Sequence, residues 1–271
     1  MTGTLGHLHR LASAQTPEEL WALHLGMMDG FGFDRVAYGF TRWRRENSIG
    51  DSQDALFLSN HDRSQTGFDM AFFMRTPMYR WAARNTGACS WRWAEEQRAA
   101  GLLSDDEAAA MDTARRAGHV AGYTISFPEH SPRAKGAMGL TARPGLTQDD
   151  VEAIWAREGE AILALCMTMH LRITHMPFRV GRRPLTARQR ETLEWVAEGK
   201  TTQDIATIMG VSAAAVEKHL RLARIALDVE TTAHAVAKAA MMNHIFTAPD
   251  GALMAAQAEA AGAPTAATGG R

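Results

Sequence analysis

The sequence predicts an α+β protein: an N-terminal α-β-α sandwich with an antiparallel sheet, followed by a small all-α four-helix domain. Three observations predict it. Capped amphipathic segments alternate with short β-branched or aromatic runs over residues 1 to about 170, without the strict strand-helix-strand alternation of a parallel sheet. Residues 171–184 hold two prolines, one glycine and four arginines, a linker composition. Residues 185–246 then read as helix almost throughout.

The N-terminal elements follow from local signals. Thr16, Pro17 and Glu19 form a capping box with proline in the first turn, and Leu20, Leu23 and Met27 share a face behind it. Ser104 and Glu107 make a second box, with Gly118 as its helix stop; Thr147 and Asp150 open a third and longer helix. The apolar stripe of that helix is Val151, Ile154, Trp155, Ile162 and Leu165. Strands are expected at Arg35–Thr41, Asp54–Ser59, Val120–Phe127 and Ala137–Ala142.

Composition excludes several classes. The chain has 271 residues, a formal net charge of -1 and two cysteines, too few for a disulfide framework, so Cys89 and Cys166 are expected as reduced, packed thiols. The N-terminus lacks the apolar core of a signal peptide, and no run reaches the ~18 apolar residues of a membrane span. These features fit a bacterial cytoplasm. His119, Glu129, His130, His170 and His175 lack metal-ligand spacing and are expected as surface or capping groups. No nucleophile elbow, phosphate loop or dinucleotide fingerprint is present, and Asp51, Asp54, Asp105 and Asp106 do not form a receiver pattern. Neither an enzyme nor a cofactor is expected.

The C-terminal segment is the most informative. Thr186 and Gln189 cap a first helix, whose inner face is expected to be Leu193, Val196 and Ala197, with Gly199 as its stop. Thr201 and Asp204 open a short second helix with Ile205, Ala206 and Met209 inward, Gly210 turns the chain, and Ser212 caps a third. Val216, Leu220, Ala223 and Leu227 fall in one arc of that third helix; Ala214, Lys218 and Arg221 lie opposite, with Arg224 at the flank. Small side chains followed by cations suit a helix entering a DNA major groove, and Thr201 and Thr202 at a helix N-terminus suit a phosphate. Residues 182–246 carry nine Lys/Arg and seven Asp/Glu, a net of +2. Spacing and charge alone leave a plain helical bundle open.

The segment resembles the helix-turn-helix domain of LuxR-type regulators. The resemblance rests on Leu185 and Thr186, Gly199 to Thr201, Ile205 and Ala206, Gly210 to Ser212, Val216, His219, Leu220, Leu227, Val229 and an Ala-rich fourth helix from Thr232 to Ile245. It implies double-stranded DNA as partner, a homodimer, RNA polymerase as a further partner of an activator, and contacts from Thr201, Thr202, Ala214, Lys218, His219, Arg221 and Arg224. Gln189 stands where the family usually has Glu, and Leu222, Ile225 and Ala226 where it is often more polar and basic.

A further resemblance, to the acyl-homoserine-lactone-binding domain of quorum-sensing LuxR regulators, covers residues 1 to about 172. It rests on Arg75 to Met78, Trp91, Gly122 to Ile125 and Gly136 to Leu140. It implies a sheet and helices around a small apolar ligand, with Thr76, Trp91, Phe68, Phe72, Tyr79 and Met138 as contacts. The family has an aspartate where Thr76 stands, and a Trp/Tyr cluster where residues 62–73 offer Phe68, Phe72 and Phe73. A typical lactone, another ligand and no ligand all stay open. The expected organisation is a sensory and dimerisation domain over 1–170, a linker over 171–184, a DNA-binding domain over 185–246 and a disordered tail over 247–271. Two other readings remain: a ligand-independent regulator, and a module that sequesters a partner regulator.

Overall fold

In the computed structural model, residues 3–43, 55–61, 70–177 and 184–247 are described. The expected tail, from residue 248 on, and Phe68 lie outside them. Contacts divide the chain into two units, residues 1–182 and 183–271.

The first unit is a three-layer sandwich. Its sheet has five strands: β1 (Phe33–Thr41), β2 (Ala55–Ser59), β3 (Gly87–Ser90), β4 (Gly122–Ser126) and β5 (Lys135–Ala142). Their order is β2-β1-β5-β4-β3, and every neighbouring pair is antiparallel. The α+β class and the antiparallel sheet are as expected. Strand β3 was not read from sequence, because Gly87–Ser90 is four residues without alternation.

Alternation gives the two faces of the sheet opposite characters. Val36, Tyr38, Phe40, Ile125, Met138 and Leu140 point into a core with α1 (Thr4–Ser13), α2 (Pro17–Gly30) and the 28-residue α7 (Gln148–His175). The other face carries Ala37 and Gly39 opposite Gly139 and Ala137, with Thr124 beside Gly139. Above it lie α3 (Met70–Phe73), α4 (Pro77–Arg84), α5 (Arg92–Ala99) and α6 (Asp105–Arg116).

The helix caps explain most boundaries. Ser104 with Glu107 and Thr147 with Asp150 make reciprocal boxes, as does Thr186 with Gln189. The box expected at Thr16 is only half formed. Thr16 accepts from Glu19 N, but the Glu19 carboxylate takes the Gln15 N–H at 2.8 Å instead. Helix α7 runs to His175, five residues beyond the expected domain edge, and ends just before Pro177.

Two histidines expected as surface or capping groups, His119 and His170, are buried, and so is His24. His170 on α7 lies with Nδ1 2.8 Å from the Tyr38 hydroxyl and Nε2 3.0 Å from Glu129, its ring stacked on Phe127 at 4.1 Å. His119 is buried with Nδ1 2.9 Å from Thr141 Oγ1. His24, on α2, is fully buried with Nε2 3.3 Å from the Met138 sulfur. Isolated histidines carry no periodicity of their own, so sequence could not separate these from surface ones.

The second unit has four helices: α8 (Ala187–Ala197), α9 (Thr202–Met209), α10 (Ala213–Leu227) and α11 (Thr232–Met241). Gly210, at φ +65°, ends α9 in the left-handed conformation that makes the tight turn into α10. Leu193, Ile205, Ala206, Met209, Val216, Leu220, Ala223 and Leu227 form its core. Ala197 is exposed, and Val196 only half-buried, in contrast to their expected place inside. Thr192 and Gln189 are buried instead; Thr192 donates its hydroxyl proton to the Arg188 carbonyl at 2.6 Å, which removes the cost of burying it. The fourth helix stops at Met241, short of the expected Ile245, which turns back into the core.

Two predictions follow from this packing. A Cβ at Gly122 meets the Leu140 carbonyl at 2.2 Å and the Trp91 ring at 3.0 Å. Gly122→Ala is expected to destabilise the first unit by about 3 kcal/mol, read by chemical denaturation; an unchanged midpoint contradicts the packing. The second concerns pH. Desolvation by burial holds His24 and His119 near pKa 3 and His61 near 4, all below the ordinary 6.5. The unfolded chain therefore binds protons that the folded one does not. Stability is full above about pH 6.5 and falls as pH drops towards these lowered values. For fully buried His24 the loss is up to about 1.4 kcal/mol per pH unit in that window. His24→Leu should flatten the dependence of unfolding free energy on pH between 6.5 and 4; an equally steep curve contradicts it.

Candidate ligand cavity and nucleic-acid interface

Between the small-residue face of the sheet and helices α3 to α6 lies a cavity of about 140 Å³. Its floor is Ala37, Gly39, Thr124, Ala137 and Gly139. Because these side chains are short, they leave unfilled the space that larger ones would occupy beneath the helices. The walls are largely aromatic and methionine: Phe57, Phe72, Phe73, Tyr79, Trp91 and Met111.

Five of the six expected ligand contacts border this space: Thr76, Trp91, Phe72, Tyr79 and Met138. Phe68 lies outside the described residues. Their roles differ from the expectation in three places. Thr76 caps α4: its hydroxyl donates to the Phe73 carbonyl at 2.8 Å and accepts from Tyr79 N at 3.2 Å. Its only donor is thus engaged, and one acceptor lone pair is left. Trp91 donates its indole N–H to Thr124 Oγ1 at 3.0 Å. Met138 pairs in register with Tyr38 and Ile125, so it belongs to the opposite face, where its sulfur meets His24. It borders the cavity as the strand residue between Ala137 and Gly139.

Sequence reasoning missed Phe57, Met111, Glu95, Arg115 and His119 as wall residues. Phe57 was marked only by its alternation with Leu56 and Leu58. Met111 and Arg115 sit four apart on α6, a spacing that names a face but not what it faces. Burial keeps His119 neutral at physiological pH, its pKa lowered to about 3. Glu95 on α5 and Arg115 on α6 form a half-exposed ion pair at the cavity edge. A second cavity, of about 440 Å³, borders the same pair and Trp91, and is otherwise lined by Val120, Arg143 and the Pro144–Gln148 segment. Among the described residues no three His, Cys, Asp or Glu side chains are grouped to hold a metal.

The second unit presents its candidate interface on α10. Ser212 caps the helix by accepting from Ala215 N at 3.2 Å. Ala214, Lys218 and Arg221 are exposed, at positions i, i+4 and i+7 of one face, and His219 is half-buried beside them. Exposed Ile225 continues that face where another cation would extend it. Arg224 turns away and donates to Thr232 Oγ1 at 2.8 Å, tying α10 to α11. Thr202 donates its hydroxyl to Glu217 at 3.0 Å, and Thr201 donates to Asp204 at 2.7 Å. The hydroxyl protons expected to meet phosphate are therefore held within the module. No helix among the described residues is long and apolar enough to cross a membrane.

Comparison with known proteins places both domains in known families. Residues 16–173 match the family model described as autoinducer binding domain, and residues 183–239 match that of bacterial regulatory proteins, luxR family. The chain is 28% identical to the transcriptional activator protein TraR of Rhizobium radiobacter over 218 residues, 78% of this chain and 85% of TraR. It is 32% identical over 130 residues to the quorum sensing-dependent transcriptional regulator RpaR of Rhodopseudomonas palustris, 48% of this chain and 50% of RpaR. The crystal structure of Escherichia coli SdiA aligns with a TM-score of 0.45 and 18% identity, covering 90% of this chain and 98% of that one. The chain belongs to the LuxR-type family of transcriptional regulators, with an autoinducer-binding domain around the cavity and a helix-turn-helix domain that presents α10.

Proposed function

We propose that the cavity of the autoinducer-binding domain takes a small apolar signal, and that its occupancy sets how strongly the helix-turn-helix domain engages DNA. The observation that carries this reading is the mostly apolar cavity over the short-sided floor of Ala37, Gly39, Ala137 and Gly139. A ligand bound only by the folded state stabilises it by mass action. We take the organisation to be a sensory and dimerisation domain over residues 1–170, a linker over 171–184 and a DNA-binding domain over 185–246. The regulator acts in the cytoplasm as a homodimer on a roughly palindromic duplex, since paired recognition helices read half-sites about one turn apart. An activator of this kind also meets RNA polymerase.

Thr76, Trp91, Phe72 and Tyr79 serve as ligand contacts in this reading. Thr76 acts by shape and its remaining acceptor lone pair, and Trp91 by the shape and face of its ring, since their donors are engaged inside the protein. On DNA, Lys218 and Arg221 meet phosphate or guanine, Ala214 allows close approach, and His219, Thr201 and Thr202 border the contact.

The test is binding of the full chain to duplex DNA from upstream of its own gene, across a salt series. Binding is expected to weaken with salt. Arg221→Ala and Lys218→Ala should each lower the slope of log affinity against log salt by about 0.9 per copy, about 1.8 for the homodimer, if the lost contact is to phosphate. Arg224→Ala should leave the slope unchanged and lower the melting temperature of the helix-turn-helix domain, because its guanidinium holds Thr232. Absence of any salt-dependent binding sinks the DNA reading.

A further inference from the structure

We infer that the buried part of the signal is a single aromatic ring, joined to a polar head whose oxygen acceptor reaches Arg115. This rests on the cavity being the sensing site.

Size gives the first argument. The cavity of about 140 Å³ is close to the roughly 150 Å³ in which an engineered protein cavity holds one benzene molecule. It is partly open to solvent, so this volume describes the buried part of a ligand and not its whole length.

Shape gives the second. Ala37, Gly39, Ala137 and Gly139 with Thr124 make a floor of short side chains, and Phe57 of β2 rises beside it from its pairing opposite Gly39. A short-sided floor edged by a ring suits a planar group. The rings around it already contact one another: Phe72 and Phe73 are T-shaped at 5.7 Å, and Phe57 lies tilted at 5.7 Å from Phe73. Aromatic pairs prefer such offset and edge-on arrangements, so an added ring extends a cluster that the fold already builds.

Polarity fixes the direction. Thr76 and Trp91 have their donors engaged, and His119 is neutral. The strong donor on the wall is Arg115, and it borders both the 140 Å³ cavity and the more polar 440 Å³ one. The second cavity is bordered by Arg115, paired with Glu95, and by Arg143, paired with Asp29. A head rich in acceptor oxygens, a carboxylate or an acyl carbonyl, competes with Glu95 for the Arg115 guanidinium there.

The test uses the full chain and four probes that cross two tails with two heads: 3-phenylpropanoate, its N-methylamide, decanoate and N-methyldecanamide. Affinity is measured by calorimetry and thermal shift. Both ring probes are expected to bind at least about tenfold tighter than the alkyl probe with the same head. Gly139→Val supplies the site control. A Cβ there meets no atom within 4 Å, so the added methyl groups enter open space and the unliganded melting temperature should not fall. Ring binding should be lost in that variant. Arg115→Gln should weaken both ring probes by about tenfold. Alkyl probes that bind as tightly as ring probes overturn the ring assignment and leave the sensing reading intact. Ring binding that survives Gly139→Val also overturns it. If no probe binds but native mass spectrometry finds a co-purified apolar molecule lost in Gly139→Val, the ring assignment falls alone. If neither is seen, both fall.

Discussion

The antiparallel pairing of β1 with β5 is the constraint on which the N-terminal domain depends. Its register sets Tyr38 opposite Met138 on one face, and Ala37 and Gly39 opposite Gly139 and Ala137 on the other. A shift of one residue would exchange the two sets. It would place small residues where α1, α2 and α7 need a core, and large ones where the cavity needs room. The core and the cavity are thus two consequences of one register. Burial of Tyr38, Met138 and Leu140 fixes it, and the cavity is what the same strands leave on their other side.

Polar groups inside the core face reinforce that register. Tyr38 sits beside His170, and Glu129 lies on the far side of the imidazole, so β1, the β4–β5 connection and α7 meet at one ring. With the phenol donating to Nδ1, the remaining ring proton faces the carboxylate. Burial raises the Tyr38 pKa well above its ordinary value, which keeps the phenol protonated as a donor. Arg42 adds a bond from the end of β1 to the Thr174 carbonyl at 2.5 Å, close to the last turn of α7. The strand that floors the cavity is therefore anchored to the helix that ends this domain.

Much of this was legible in the sequence, for identifiable reasons. Caps at Ser104, Thr147, Thr186 and Thr201 mark helix starts because the residue types that satisfy free N–H groups are few. The inner arc Val216, Leu220, Ala223 and Leu227 was readable because helical periodicity repeats over fifteen residues. Short elements were not. Helix α1 has no side-chain cap, α4 and α5 have eight residues each, and β3 has four. The site was legible in part. Thr76, Trp91, Phe72, Tyr79 and Met138 border the cavity, Met138 from a strand position whose neighbours Ala137 and Gly139 form the floor. Only the register decides which of Ala137, Met138 and Gly139 looks inward, and register is a property of paired strands.

Both sites share a feature that local pattern conceals. The side chains that resemble ligand or phosphate contacts already hold other parts of the protein: Thr76 caps a helix, Trp91 binds Thr124, Thr201 caps α9, and Thr202 holds Glu217 on α10. Each carries one donor proton, and each proton has an internal partner. Using it for a ligand would leave that partner unsatisfied, so these groups contribute mainly by position and volume. The surfaces that remain are the short-sided floor and aromatic walls in the first domain, and the exposed Lys218 and Arg221 in the second. Two exposed cations on one face of α10 are few for a surface that must hold a polyanion.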